Sequence, residues 1–459
     1  MKKYETAQRV VVTGLGVVSA LGQTTEEFGQ ACREGRSAVR PVSEGERYPV
    51  QAAAPIDSFT GSIQDFGELD ATKKKAIRKG LKLMAREIQL GVAAAQKALA
   101  SANIGDAYEP QRRGVSFASD YIVTPAFELI EAMAACRKVN AQGQMEFDGS
   151  HWRENGISKM TPLWQLKYLT NMSASHITIY NEFYGPAYDT TNREASFAGA
   201  LGDAVETIRS GRADLMLVGA TGSRLHDLRL LESIKNLEVS TKSPVCRPFD
   251  ARRNGSIASE GAGALVLETL ESAQKRGTKI YAEVCGGAFR GVVKHARNVV
   301  PSEITSPQEC GCDIVLTRDG SREAIRLALK RVMERFSIVP ETIGHVNANA
   351  RGDLALDAAE ALALRDVLGD ALDSIPVTSL KGAQGNPGAG AGAIETIASI
   401  LAFENGSLFP TLNFEQVDSN LGLNPVTQLG VAPGDSFLKI CANSVGQASV
   451  AYVKRWNDQ

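Results

Sequence analysis

Arg9-Val-Val-Val-Thr13 is a β-branched run ended by Gly14-Leu-Gly16, which predicts a buried strand running into a turn. Thr25 to Arg33 follows as a helix with Thr24 or Thr25 as its cap. From Ala71 to Ala100 the pattern predicts one long helix, because Leu81, Met84, Ile88 and Val92 recur at three- and four-residue spacing. A helix over Gly199 to Ser210 precedes a strand over Ala213 to Ala220, and Ala262 to Glu268 and Ile280 to Cys285 are further strands. Glu323 to Arg335 reads as a helix, Gly344 to Ala348 as a strand and Leu356 to Leu368 as a helix. Pro376 to Leu380 is a strand and Ile394 to Phe403 a helix. Strands alternating with helices predict an α/β protein with buried, largely parallel sheets. The stretch from Tyr121 to Tyr184, with Trp152, Trp164, Tyr168 and Phe183, is less regular. It reads as an insertion that packs on a partner subunit or as an excursion that covers the core.

Composition narrows the class. Of 459 residues, 43% are hydrophobic and 22% charged, which excludes wholesale disorder. A net charge of -2 excludes a strongly basic nucleic-acid binder. Mean hydropathy is -0.13, and no apolar run reaches the ~20 residues of a spanning helix. Met1-Lys2-Lys3 followed by an apolar stretch imitates a secretory signal, but Glu5 and Arg9 interrupt it and Gly14 and Gly16 sit mid-run. A cytoplasmic protein is expected. Seven scattered cysteines read as free thiols, and Cys310-Gly-Cys312, with no second pair and no nearby histidine, reads as a surface loop and not a zinc site. No metal and no cofactor is expected.

Two glycine patterns are not nucleotide sites. Gly14-x-Gly16-x-x-Ser19 lacks the third glycine and an acidic ribose ligand, and Gly382 to Gly392 lacks the trailing Gly-Lys-Ser/Thr of a phosphate loop, so close helix packing explains it. Lys73, Lys74, Lys75, Arg78 and Lys79 form a basic cluster, either a solvated helix face or a dock for an acidic partner.

Several blocks then fall in order: Val10-Val-Val-Thr-Gly-Leu-Gly-Val-Val-Ser19, Gly185-Pro186, Arg212 to Ala220, Arg247-Pro-Phe-Asp250, Ser259 to Glu268, Arg276 to Glu283, Ser379-Leu-Lys381, Pro410-Thr-Leu-Asn413 and Asn443-Ser444. Over nearly its whole length the chain resembles the β-ketoacyl-acyl-carrier-protein synthases, the elongating condensing enzymes of type II fatty-acid and polyketide assembly. The resemblance implies the thiolase fold, two similar α/β halves (1–268 and 269–459) stacked as five alternating helix and sheet layers, usually as a dimer. It also implies a site: a cysteine at a buried helix N-terminus that takes the acyl chain as a thioester, with two histidines that assist decarboxylation and stabilise the enolate.

The residues at those positions differ. The cysteine of the family lies nine residues after the glycine of Gly185-Pro186, which is Glu194 here. The first histidine follows Val-Asn-Ala, and Asn349 follows Val346-Asn-Ala348, with Ala350-Arg-Gly-Asp353 in place of a small-hydroxyl run. The second lies five residues after Lys381, which is Asn386. Lys381 and its implied ion-pair partner Glu395 match the family. In the Gly-Phe-Gly-Gly loop that gates the pocket, Val445 and Gln447 stand instead. His345 would share a strand face with Asn349 at a separation of about 13 Å, too far to replace a histidine there. His176 reads as a core or interface histidine and Cys246 as buried packing.

Three readings follow. The first is a non-condensing partner subunit like the chain-length factors (KSβ subunits) of type II polyketide synthases, paired with a Cys-bearing ketosynthase, with Glu194, Asn349 and Asn386 as a hydrogen-bonded plug or as relics held by packing. The second is a malonyl-carrier-protein decarboxylase or other carrier-protein-dependent enzyme using Glu194. The third is a scaffold that holds an acyl-carrier protein through Lys73, Lys74, Lys75, Arg78 and Lys79 without chemistry.

Overall fold

The computed structural model describes residues 8–43, 49–292 and 319–457. Cys310, Cys312 and the first seven residues lie outside them. The strands are β1 (Val10–Ser19), β2 (Arg40–Pro41), β3 (Ala52–Ala54), β4 (Arg113–Ser119), β5 (Arg137–Val139), β6 (Met145–Phe147) and β7 (Ala187–Thr190). They continue as β8 (Leu215–Ser223), β9 (Ala258–Thr269), β10 (Ala282–Gly291), β11 (His345–Asn347), β12 (Val377–Thr378), β13 (Ser436–Ala442) and β14 (Gln447–Arg455). The helices are α1 (Thr25–Arg33), α2 (Ala71–Gly80), α3 (Arg86–Ala102), α4 (Ala126–Ala135), α5 (Met172–Asn181) and α6 (Ser196–Arg209). After them come α7 (Asp227–Lys235), α8 (Leu270–Arg276), α9 (Asp319–Phe336), α10 (Leu354–Leu368), α11 (Lys381–Gln384) and α12 (Ala391–Asn405).

The strand order is β12-β11-β13-β14-β10-β1-β9-β8-β4-β7. Val11 pairs with Glu268 on one side and Glu283 on the other, so β1 ties both halves into one sheet path. α3 covers the outer face of the first half, α9 packs on β10 and β14 of the second, and α6 and α12 lie between the two halves. This is the layered α/β arrangement of the thiolase fold. The β1 valines and Val266 and Leu267 of β9 are fully buried, which is why these strands read as continuous apolar runs. Gly14 and Gly16 let α3 approach: a Cβ on Gly16 would stand 2.1 Å from the Ala94 carbonyl oxygen.

Two expectations change. The sheet is mixed and not largely parallel: β1, β8, β9, β10, β13 and β14 form antiparallel pairs, while β4 pairs in parallel with β7 and β8, and β11 with β12 and β13. A short connection such as the one joining β13 to β14 allows only the antiparallel return. The long helix is broken into α2 and α3, with Met84 extended (φ -116°, ψ 121°). The break buries Met84 while Arg86 turns to Glu260 and to the carbonyls of Ile56 and Phe59. The irregular stretch contains α4, the β5–β6 hairpin and α5. Of its aromatics, Phe183 is buried, and Trp152, Trp164 and Tyr168 are half-buried. Phe127, Ile130, Val139, Met145 and Leu163 are exposed. The Thr24 cap is as expected, its hydroxyl accepting from the Glu27 amide at 3.2 Å.

Candidate active site

Glu194 lies in the turn Arg193–Ala195 that opens α6, and it is buried. Three elements bring donors to it. Arg224 follows β8 directly, its amide bonded to the Ser259 carbonyl of β9. Arg351 sits in the loop before α10, where buried Asp357 accepts from the amides of Arg351 (2.9 Å) and Gly352 (3.0 Å). Asn386 is pinned at the start of β9, its amide donating to the Ile257 carbonyl and its carbonyl accepting from the Ser259 amide. From these places Arg224 Nη2 donates to Glu194 Oε1 at 2.5 Å, Arg351 Nη1 at 2.9 Å and Asn386 Nδ2 at 3.1 Å.

A second carboxylate completes the cluster. Glu238 accepts from Arg224 Nη1 at 2.8 Å and from the Ser444 hydroxyl at 2.6 Å, and lies 3.5 Å from Arg351 Nη2. Burial pushes the Glu194 carboxyl up, but the guanidiniums of Arg224 and Arg351 outweigh it and hold it at about 2. Burial likewise opposes ionisation of Glu238, and Arg351 and Arg224 again win, holding it well below the usual range. Both are carboxylates at neutral pH.

Arg193 has φ 52°, the left-handed region that non-glycine residues rarely adopt. Its guanidinium bonds Glu232 at 2.9 Å and lies over Tyr121, which also stacks on Arg229 at 3.8 Å. Arg229 in turn pairs with buried Asp120 at 2.8 Å.

The other positions named from the sequence fall as follows. Asn386 meets Glu194 as the plug required, but Asn349 does not. β11 ends at Asn347, so Asn349 leaves the strand face it was expected to share with His345. The Asn349 amide N–H bonds Glu360 at 2.7 Å, and its Nδ2 has no partner among the described residues. Burial raises the Glu360 carboxyl to about 8. Glu194 Oε1 is held by the two arginines and Asn386 and not by the amides of α6. Lys381 Nζ lies 2.7 Å from Glu395 Oε1, and Lys439 Nζ lies 2.5 Å from Glu395 Oε2, all three fully buried. Val445 is 58% exposed at the tip of its turn. Gln447 accepts from Asn443 Nδ2 at 2.7 Å, and Asn443 Nδ2 also reaches the Asn192 carbonyl at 3.1 Å, tying the late loop to the Glu194 turn. Lys73, Lys74, Lys75, Arg78 and Lys79 all lie on α2, with Lys74, Lys75, Arg78 and Lys79 exposed.

Cys32, Cys136, Cys246, Cys285 and Cys441 are buried and free. Burial pushes Cys246 up to about 12, and its thiol donates to the Arg351 carbonyl. His345 is a core histidine, bonded to the Pro433 carbonyl and the Ser399 hydroxyl and lowered by burial to about 4. His176 packs against Tyr180. Among the described residues no group of three or more His, Cys, Asp and Glu is placed to hold a metal ion, and no helix is long and apolar enough to cross a membrane.

Sequence reasoning missed Arg224, Glu238 and the role of Arg351. Arg224 carried a signal, a cation directly after the wholly apolar and small run of β8. Glu238 carried none, because its partners come from distant segments.

The layered α/β scaffold, with Glu194 in the turn that opens the buried helix α6, is the architecture of the thiolase-fold class. Residues 7–273 match the β-ketoacyl synthase N-terminal domain and residues 309–415 the β-ketoacyl synthase C-terminal domain, so the chain belongs to the β-ketoacyl synthase family. It is 31% identical over 443 residues to 3-oxoacyl-[acyl-carrier-protein] synthase 2 of Rhizobium meliloti (strain 1021), covering 94% of this chain and 96% of that one. It is 30% identical over 433 residues to the mitochondrial 3-oxoacyl-[acyl-carrier-protein] synthase of Arabidopsis thaliana, covering 90% of this chain and 86% of that one. Among solved structures, a type II PKS acyl-carrier protein in complex with its ketosynthase bound to the hexaketide superposes with a TM-score of 0.78 at 25% identity, covering 98% of this chain and 100% of that one. The ishigamide ketosynthase/chain length factor superposes with a TM-score of 0.77 at 24% identity, covering 98% of this chain and 100% of that one.

The cluster gives a pH prediction. Glu194 is held at about 2 against an ordinary 4.5, so its contribution to stability is complete above about 4.5 and is lost as pH falls toward 2. Denaturant midpoints measured from pH 5 down to pH 2 should fall more steeply for the native chain than for Glu194→Gln. Equal slopes would remove Glu194 from the acid limb.

Proposed function

We propose that this chain is a non-condensing member of its family that acts as a chain-length-factor-like partner subunit for a Cys-bearing ketosynthase. The observation that carries the reading is the state of Glu194. At the position where the family resemblance calls for a thiol stands a carboxylate, locked by two buried arginines and Asn386. It has no thioester chemistry, and its donors are committed to it. Asn349 and Asn386 stand where the resemblance calls for histidines, so the decarboxylating groups are absent too. The decarboxylase reading is weaker, because an ionised Glu194 repels a malonyl carboxylate and the enolate formed from it.

Support for a partner comes from the far end of the sheet. β7 ends the strand order with no further strand beyond it among the described residues, and exposed Phe127, Ile130, Tyr184 and Tyr188 lie in the segment leading to it and on β7 itself. An exposed sheet edge near apolar side chains is a surface that a second chain of the same fold can extend. In this reading the basic face of α2 docks an acyl-carrier protein, whose acidic character its lysines complement.

The test is co-expression with a family member that retains the cysteine and both histidines. A stable one-to-one complex is expected, with condensation by the complex and neither self-acylation nor condensation by this chain alone. Recovery of this chain only by itself, or thioester formation on it, overturns the reading.

A further inference from the structure

A cleft of about 350 Å³ opens between residues 55–59, the first turn of α3 and the segment that follows β8. Ile56, Phe59 and Leu225 give it apolar walls. Most of its charged groups are already matched. Arg86 holds Glu260 through Nε at 3.0 Å and Nη2 at 2.7 Å, and also donates from Nη1 to the Phe59 carbonyl and from Nη2 to the Ile56 carbonyl. Asp57 is paired with Arg40 at 3.1 Å.

Glu87 is the exception. It lines the cleft and is only 6% exposed, and while its backbone carbonyl accepts from the Thr221 hydroxyl, its carboxylate receives no hydrogen bond from any other described residue. Arg229, the opposite charge that acts on it, is committed to Asp120 at 2.8 Å and Glu232 at 2.7 Å. His226 supplies a second unmatched group. Its Nδ1 accepts from the Leu228 amide at 3.2 Å, which leaves the proton of the neutral ring on Nε2, and Nε2 has no partner. Burial, with Glu260 and Asp120 nearby, raises Glu87 to about 7, as befits a carboxyl that lacks its counter-charge.

A buried carboxylate without a partner is costly, and a cation of complementary shape relieves it. We propose that this cleft binds a small aliphatic ammonium ion, with the charge on the Glu87 carboxylate and the hydrocarbon part against Ile56, Phe59 and Leu225. The proposal does not depend on the partner-subunit reading. Its apolar walls favour an alkyl-bearing cation over a hydrated inorganic one.

The test is calorimetric titration of the full chain at pH 8.5 with n-butylammonium, and with 1-butanol as the neutral analogue of matching size. Saturable one-to-one binding of the ammonium is expected, with 1-butanol weaker by at least about tenfold. Glu87→Gln keeps the shape and removes the charge, and it should weaken n-butylammonium by a similar factor while leaving 1-butanol unchanged. Thermal unfolding in parallel checks that the variant is folded, and n-butylammonium should raise the melting temperature of the native chain only. Equal affinity for the two probes, unchanged affinity in Glu87→Gln, or no binding by the native chain overturns the proposal.

Discussion

Glu194→Cys is expected to lose stability and to gain no condensing activity. The substitution restores the thiol that the family uses, but it leaves Arg224 and Arg351 buried without the carboxylate that both of them hold. Removing one member of a buried ion-pair set costs about 3–5 kcal/mol, because the remaining charges lose their compensation. Glu238 takes up part of that load, since it touches both arginines. The new thiol would sit beside cations that favour the thiolate, so alkylation by iodoacetamide is the sensitive readout of whether it is reachable. Condensation still fails, because Asn349 and Asn386 supply neither a base nor a charged donor. Measurable condensation by this single variant would sink the view that the two asparagines matter, and an unchanged denaturant midpoint would sink the ion-pair account.

Glu395→Ala is expected to be as damaging or worse. Glu395 faces two fully buried ammonium groups, one oxygen toward Lys381 and the other toward Lys439. Its loss orphans both, and a cost of about 3–5 kcal/mol or failure to fold follows. Adding Lys439→Met removes one of the orphaned charges and should recover part of the loss. Lys439 also donates to the Asn347 side chain at 3.0 Å and to the Ala348 carbonyl at 3.2 Å, so the recovery is incomplete. A double variant no more stable than Glu395→Ala alone, measured by urea unfolding, would mean that charge is not what sets the loss.

The parts of this molecule that sequence periodicity reveals are those in which each residue answers to its near neighbours. α1 and its Thr24 cap, the buried runs of β1 and β9, and the alanine-rich α10 all obey local rules. The break between α2 and α3 does not, because the reason for it lies in Glu260, far away in sequence. Strand direction was misjudged for the same reason: composition reports burial on two faces but not the sense of the neighbour. At the site, motif spacing placed Glu194, Asn386, Lys381 and Glu395 in a form the geometry can be compared with directly. It could not place the arginines, since a buried guanidinium looks in sequence like any surface one. Asn349 shows the limit from the other side. It was located by counting, but its contacts depend on where β11 stops.

Because β1 is hydrogen-bonded to β9 along one side and meets β10 at Val11 and Val12 on the other, it works as a shared seam. Neither half can melt without stripping a strand from the other. Unfolding should therefore be a single cooperative event, and a chain cut between 269 and 282 should hold together until denaturant releases both fragments at once.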